Sequence, residues 1–397
     1  MGRCTYLDPP RIPTPPFPPL LRGARGDRIL RGLIKNWYNS LKSQVYLLMK
    51  QLIWIALFIL VTVAAVGWGS DSWQRLSAVP EVSIDRKIDI SPNSSPSTFP
   101  AEKQLVDLPK INQSSLWKHV ETLVGEREGE RDRNFARDYI SKQLQISGLS
   151  PQLQPFDGGI NVFAERKGTD SKAGAILIAA HYDTVVKSPG ADDNATGVAV
   201  VLEVARLLGS RATPRTLQVA FFDREEIGLL GSLAFTGSAA RLKDLQGAIV
   251  LDMVGYACHT PGCQRYPEGL TAAPFLEAAG VTSPDKGEFI AVVGDAEHPL
   301  LLGTFAESPK ADLPAVVALP VPLKGLLTPD VLRSDHAPFW YKGIGAVLVT
   351  DTANLRSPHY HQSSDTLATI DRPFFAGSAQ VVVNATAKLL EIQSLGD

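Results

Sequence analysis

The stretch His181-Tyr-Asp-Thr-Val-Val-Lys-Ser-Pro-Gly-Ala-Asp-Asp-Asn-Ala-Thr-Gly197 gathers one imidazole and three carboxylates directly after an apolar run. That run, Ala175 to Ala180 (Ala-Ile-Leu-Ile-Ala-Ala), is short, continuously apolar and bounded by glycine and polar residues, as in a strand buried on both faces. His181 then stands at the carboxyl end of a strand. Past the loop, Val198, Val201, Leu202, Ala205 and Leu208 recur at helical spacing, with Asn194 and Thr196 placed to cap the first turn. Strand, polar loop and helix in that order make the first half of a βαβ unit. Open α/β sheets bind ligands in the crevice beyond the strand carboxyl ends. The stretch therefore reads as half of a metal site. A lone histidine at a strand end is more often a hydrogen-bonded structural residue, so the rest of the chain has to supply the other half.

Other strands do so. Thr216 to Phe222 runs into Asp223-Arg-Glu-Glu-Ile-Gly228, and Gly247 to Leu251 runs into Asp252-Met-Val-Gly-Tyr256. Gly345 to Thr350 is followed by a loop with His359, Tyr360 and His361, and then by a long helix from about Pro373 to Leu395. Upstream, Phe135, Tyr139, Ile140 and Leu144 predict an amphipathic helix ending at Gly148, and Gly159 to Lys167 predicts a strand. The segment from Tyr256 to about Pro309 and the segment Pro320 to Pro329 read as loops that shape a pocket.

Four predicted parallel strands thus deliver candidate ligands at one edge: His181, the Asp192/Asp193 pair, Glu226, Asp252 and His361. Mixed imidazole and carboxylate donors suit zinc, and two histidines, two single carboxylates and one shareable carboxylate match what two zinc ions need. Two such ions about 3.5–4 Å apart can activate a water and stabilise a tetrahedral oxyanion, which is hydrolase chemistry. Glu225 is left over beside Glu226, where it can take a proton from water and pass it to a leaving amine. Asp192 reads as a surface or supporting acid, Asp223 as a strand-end cap, and His119 and His298 as ordinary histidines.

The 397-residue chain, 44% hydrophobic and 20% charged, is long enough for one large domain with appendages, and its formal net charge of -2 gives no electrostatic reason to expect a nucleic-acid partner. Residues 1–50 form a basic, proline-rich tail. Residues 51–69 carry an uncharged apolar run, Leu52 to Gly69, of a length that can span a bilayer. The positive-inside bias leaves the tail cytoplasmic and sends the rest across the membrane. A cleaved signal peptide, giving a secreted protein, is the competing reading. Residues 70–107 have the turn-rich composition of a stalk, and residues 108–397 form the globular domain. Cys258 and Cys263 share one short loop: a local disulfide, a further metal site with His259 and two free thiols are the open readings.

His181-x-Asp183, Gly190-Ala-Asp-Asp-Asn-Ala-Thr-Gly197, Phe222-Asp-Arg-Glu-Glu-Ile-Gly228, Leu251-Asp-Met253 and Tyr360-His-Gln-Ser-Ser-Asp365 resemble, in order, the motifs of the co-catalytic dizinc exopeptidases typified by bacterial leucyl aminopeptidases, a group related to the glutaminyl cyclases. The resemblance implies a doubly wound, mostly parallel α/β sheet flanked by helices, and two zinc ions per chain. It implies that Asp193 bridges them, that His181 and Asp252 complete one site and Glu226 and His361 the other, and that Glu225 is the general acid/base. His361 is preferred to His359 by its spacing to Asp365. Asp183 would orient His181, Tyr360 would place its hydroxyl on the substrate carbonyl, and the peptide between Asp193 and Asn194 would be cis. Ser334-Asp-His-Ala-Pro-Phe339 resembles a loop at the pocket rim, which makes Asp335 and His336 supporting or substrate-contacting candidates. The activity implied is removal of amino-terminal residues from peptides or small aminoacyl substrates. A one-zinc glutaminyl cyclase and a non-catalytic ectodomain of the same fold are the alternatives.

Overall fold

A computed structural model describes residues 108–267, 271–307, 312–326 and 328–393. The basic tail, the apolar 51–69 segment and the stalk lie outside the described residues. Among the described residues no helix is long and apolar enough to cross a membrane.

The chain opens with two helices, α1 (Gln113–Leu123) and α2 (Glu130–Ile146), followed by the hairpin β1 (Gln152–Phe156) and β2 (Gly159–Arg166). Then come β3 (Ala175–His181), α3 (Gly197–Leu208), β4 (Thr216–Phe222), α4 (Leu230–Thr236), α5 (Ala239–Leu242) and β5 (Leu245–Leu251). The second half adds α6 (Ala273–Ala278), β6 (Phe289–Asp295), α7 (Pro299–Ala306), β7 (Ala315–Val321), α8 (Ala337–Tyr341), β8 (Ala346–Thr350) and α9 (Arg372–Glu391). The strands make one eight-stranded sheet in the order β1-β2-β4-β3-β5-β8-β6-β7. The centre, β4-β3-β5-β8, is parallel, as expected from the buried apolar runs. Both flanks bring antiparallel pairings, β2 with β4 and β6 with β8.

β3 shows why such a run folds this way. Its side chains alternate between faces: Ile176, Ile178 and Ala180 join the core formed with α1, α2, α3 and α9, while Ala175, Leu177 and Ala179 join the opposite core with Phe222, Phe235, Phe339 and Trp340. Every residue of β3 is buried. The helix after the loop is equally enclosed: Val198, Val201, Leu202, Ala205 and Leu208 of α3 are all at most 1% exposed. Each of these valines and leucines contributes about 1.5–3 kcal/mol by leaving water, which holds the loop carrying the acids between two fixed elements.

Two expectations change. The 256–309 segment is more than a pocket loop, because β6 lies inside the sheet between β8 and β7. In α2 the predicted apolar face is rotated: Phe135 is 57% exposed, and Ala136, Ile140 and Leu144 face the core together with Arg133 and Arg137. Those arginines are buried because both meet Asp223, at 3.0 and 3.9 Å.

Candidate metal centre

Parallel register brings the acids together. His181 pairs with Phe222 across β3 and β4, and Ala180 pairs with Leu251 across β3 and β5, so Glu225, Glu226 and Asp252 all emerge beside His181. His181 is fully enclosed; its Nδ1 donates to the Asp183 carbonyl at 3.2 Å, which leaves Nε2 facing Asp193 Oδ1 at 3.3 Å and Asp252 Oδ1 at 3.6 Å. The other oxygen of Asp193, Oδ2, lies 3.3 Å from His361 Nε2, whose second neighbour is Glu226 Oε2 at 3.0 Å. The donor atoms form two triads, His181–Asp193–Asp252 and Asp193–Glu226–His361, each within 4.8 Å, with Asp193 common to both. Donor atoms of Glu225, His181 and Glu226 also lie within 4.8 Å of one another. All five expected ligands and Glu225 are therefore brought to one place.

The loops are held by hydrogen bonds that the motifs do not display. Asp183 accepts from the backbone N–H groups of Glu225 at 3.0 Å and Glu226 at 3.3 Å. Asp365 brackets the shared residue, accepting from the N–H groups of Asp192 at 2.9 Å and Asp193 at 3.0 Å. The Asp193–Asn194 peptide is cis, and the Asn194 side chain caps Gly197 N–H at 3.1 Å. Arg224, Leu229, Met253 and His361 all have φ between 54 and 63°, so left-handed backbone, costly for non-glycine residues, gathers at the donor loops.

The electrostatics call for cations. Burial pulls His361 down, yet the carboxylates of Asp193 and Glu226 outweigh it and lift it to about 10. His181 is raised well above its ordinary value in the same contest, against burial and by Glu225, Asp183, Asp193 and Asp252. Burial, followed by Asp193, pushes Glu226 up to about 7, and burial drives Glu225 well above the carboxylate range. Asp193 is held low: burial opposes ionisation, but the two imidazoles prevail. Cations held here would compensate the carboxylates and displace protons from the imidazoles on binding. Among the described residues, Glu226 Oε1 is buried without a hydrogen-bond partner. An orphaned carboxylate oxygen, a carboxylate shared by two imidazoles and N/O donors throughout fit zinc.

Other candidates separate clearly. Tyr360 stacks on the His361 ring, 3.7 Å between centroids, and its hydroxyl oxygen accepts from Arg333 Nη2 at 3.1 Å. His359 instead meets Ser364 Oγ at 2.9 Å. Asp192 is not a surface acid: it is 2% exposed and accepts from Thr196 Oγ1 at 2.9 Å and Gly255 N–H at 2.9 Å. Asp223 accepts from Ile160 N–H at 3.0 Å and pairs with the two arginines of α2. His298 is held by Asp295 at 2.7 Å, away from the donor cluster. Asp335 is fully buried, with Ser232 as its side-chain neighbour, whereas His336 donates to the Val331 carbonyl at 2.7 Å and serves as a prop. Cys258 and Cys263 form a disulfide. Sequence reading misses Arg127, a buried guanidinium that donates to the carbonyls of Tyr182, Pro189 and Gly190 and so staples the loop between His181 and Asp193. It sits in the charged run Glu126-Arg-Glu-Gly-Glu-Arg131, which looks like a solvated surface.

A cavity of about 340 Å³ opens over the cluster, lined by Asp193, Glu225, Glu226, Asp252, Tyr360 and Arg333 among others. A wider apolar groove of about 630 Å³, lined by Tyr266, Leu276 and Val281 among others, contains none of these donors.

Residues 161–386 match the model of peptidase family M28, a segment that holds every donor named above. This chain belongs to peptidase family M28. As an M28 member it is an enzyme of the zinc exopeptidase type. It is 34% identical over 268 residues to the uncharacterised protein YfbL of Escherichia coli, covering 63% of this chain and 77% of that one. It is 33% identical over 222 residues to a probable lipoprotein aminopeptidase, LpqL, of Mycobacterium tuberculosis, covering 53% of this chain and 42% of that relative's length. Among solved structures, an aminopeptidase from Aneurinibacillus sp. strain AM-1 superposes with a TM-score of 0.55 at 18% identity, over 72% of this chain and 96% of that one, a likeness of fold.

Proposed function

We propose that this protein is a dizinc aminopeptidase that hydrolyses amino-terminal peptide bonds, with Glu225 as general acid/base. The observation that carries this reading is the placement of Asp193, whose two oxygens each face a different imidazole at 3.3 Å. His181, Asp193 and Asp252 would hold one ion, and Asp193, Glu226 and His361 the other. When bound, zinc supplies Lewis acidity, polarising the scissile carbonyl and acidifying water.

The chain's own residues do the rest. The Glu225 carboxylate takes the proton of the attacking water and returns it to the nitrogen of the departing amine. Asp183 fixes the Glu225 and Glu226 backbone from one side while His181 is steered from the other. Because the Tyr360 oxygen accepts from Arg333, its own proton is left to donate into the cavity, toward a substrate carbonyl. A one-zinc cyclase would leave one of the two triads without an ion, and a non-catalytic ectodomain would have no use for the extra carboxylate of Glu225 buried against the donors. The same reading places the enzyme on a membrane through the uncharged Leu52 to Gly69 run, with the catalytic domain extracytoplasmic.

The test is zinc stoichiometry on the purified protein together with peptides that have free or acetylated amino termini. Two zinc ions per chain and hydrolysis confined to free amino termini are expected. Equal cleavage of acetylated peptides, or one zinc at saturation, would overturn the reading. Release of the protein by an alkaline wash of membranes would remove the anchor.

A further inference from the structure

The cavity over the donor cluster has an acidic floor and one guanidinium in its wall, that of Arg333. Its Nη2 donates to Tyr360 Oη at 3.1 Å and its Nη1 to Asn354 Oδ1 at 3.3 Å, both neutral partners. A guanidinium carries five N–H donors, so after these two bonds three N–H groups have no partner among the described residues. Some arginines of the fold end on carboxylates, as Arg133 does on Asp223 and Arg224 on Glu128, and others, such as Arg127 and Arg356, are spent on backbone carbonyls and amide oxygens. Arg333 has no such ion pair among the described residues.

The fork is nevertheless restrained. Tyr360 is stacked on His361, so the Arg333 to Tyr360 bond ties the cation to the donor cluster itself, and its carbon sits 5.9 Å from the Tyr360 ring. Arg333 lies exposed at the cavity rim, where water solvates its free N–H groups; a carboxylate entering the cavity can replace that water and match the planar fork, which its neutral partners already orient. A short peptide supplies both signs: an amino terminus for the acidic floor and a carboxylate for the wall. At about 340 Å³ the cavity is near the small end of the range for ligand pockets.

We propose that Arg333 forms a carboxylate-binding subsite, so that this enzyme prefers substrates carrying a carboxylate close to the first peptide bond. That carboxylate comes either from the free carboxyl terminus of a dipeptide or from an acidic side chain in the second residue. The proposal rests on the aminopeptidase reading for the position of the scissile bond.

The experiment compares leucylglycine, leucylglycinamide and leucylglutamic amide on the zinc-loaded protein. kcat/KM is measured for the wild type, Arg333→Gln and Arg333→Lys, and binding calorimetry is run on the Glu225→Gln protein with and without Arg333→Gln. We expect one or both carboxylate-bearing peptides to exceed leucylglycinamide by about 10- to 100-fold, the worth of a charge-assisted hydrogen bond. That ratio should fall toward one in Arg333→Gln and recover in part in Arg333→Lys. Preference for leucylglycine identifies the carboxyl terminus as the anion, and preference for leucylglutamic amide identifies the side chain. Arg333→Gln also disturbs Tyr360, but that effect falls on all three peptides and cancels in the ratio. A wild-type ratio near one, or a ratio kept in Arg333→Gln, overturns the subsite. Carboxylate-selective, Arg333-dependent binding without hydrolysis would instead refute the aminopeptidase reading and leave the subsite standing.

Discussion

Asp183→Asn separates holding the site together from doing its chemistry. Asp183 is buried at 1% exposure; its carboxylate accepts from Glu225 N–H at 3.0 Å and Glu226 N–H at 3.3 Å and lies 3.5 Å from His181 Nδ1, which its backbone carbonyl holds at 3.2 Å. Asparagine has nearly the same volume, so packing stays constant. It keeps one carbonyl oxygen, which can serve one of the two N–H groups, and turns an amide donor toward the other. One hydrogen bond to a charged group is lost, about 1.5–3 kcal/mol, and one buried N–H is left unsatisfied, about 1–3 kcal/mol. These overlap, so about 2–4 kcal/mol is the expected loss in urea unfolding of the metal-free protein. Since His181 and Glu226 both lose a restraint, zinc affinity should fall about 10- to 100-fold, read by competition with a chromophoric chelator. An Asp183→Asn protein with zinc affinity within twofold of wild type and unchanged unfolding would show that Asp183 does not organise the donors, and the account of the site would fail with it.

Glu225→Gln should keep both zinc ions and lower kcat by about 10²–10⁴-fold; near-normal kcat would remove Glu225 as general base. Asp193→Ala should lose both ions together, because each triad is left with two protein donors; elemental analysis finding one ion retained would reject the shared ligand. Burial depresses His119 from 6.5 to about 4, against a smaller opposing pull from Glu203. A histidine kept neutral in the fold stabilises it fully above the unfolded value, and this contribution is lost as pH falls from about 6.5 toward 4, about 3 kcal/mol in all. Unfolding of the wild type and His119→Gln at pH 7.5 and 4.5 should therefore differ in slope, and parallel curves would contradict the burial argument.

The parallel centre of the sheet was legible because buried strands are continuous apolar runs, and the acids at their ends follow from register alone. The same rule applied to Phe289 to Val293, an equally apolar run, would have found β6; its setting in a glycine- and proline-rich segment hid it. The rotated face of α2 was not legible, since Arg133 and Arg137 become interior residues through Asp223, whose nearness depends on the completed fold. Arg127 and Arg333 escaped for the same physical reason. A charge reads as solvated until the backbone carbonyls or the cavity wall that enclose it are known.

Sharing Asp193 makes the two halves of the site depend on each other through the backbone as well as through the ions. His181 ends β3 and Asp252 directly follows β5, adjacent parallel strands whose register is regular from Ile176 to Ala180, so the sheet itself sets these two donors side by side. His361 arrives on the loop after β8, in a left-handed conformation. Asp365, four residues on, ties that loop to the one carrying Asp193, its carboxylate holding the N–H groups of Asp192 and Asp193. The loop that delivers the second histidine therefore also sets the orientation of the shared carboxylate. A change at Asp365 consequently reaches both triads, whereas a change at Glu226 reaches only the second, and that asymmetry follows from the connectivity of the chain rather than from the chemistry of the metal.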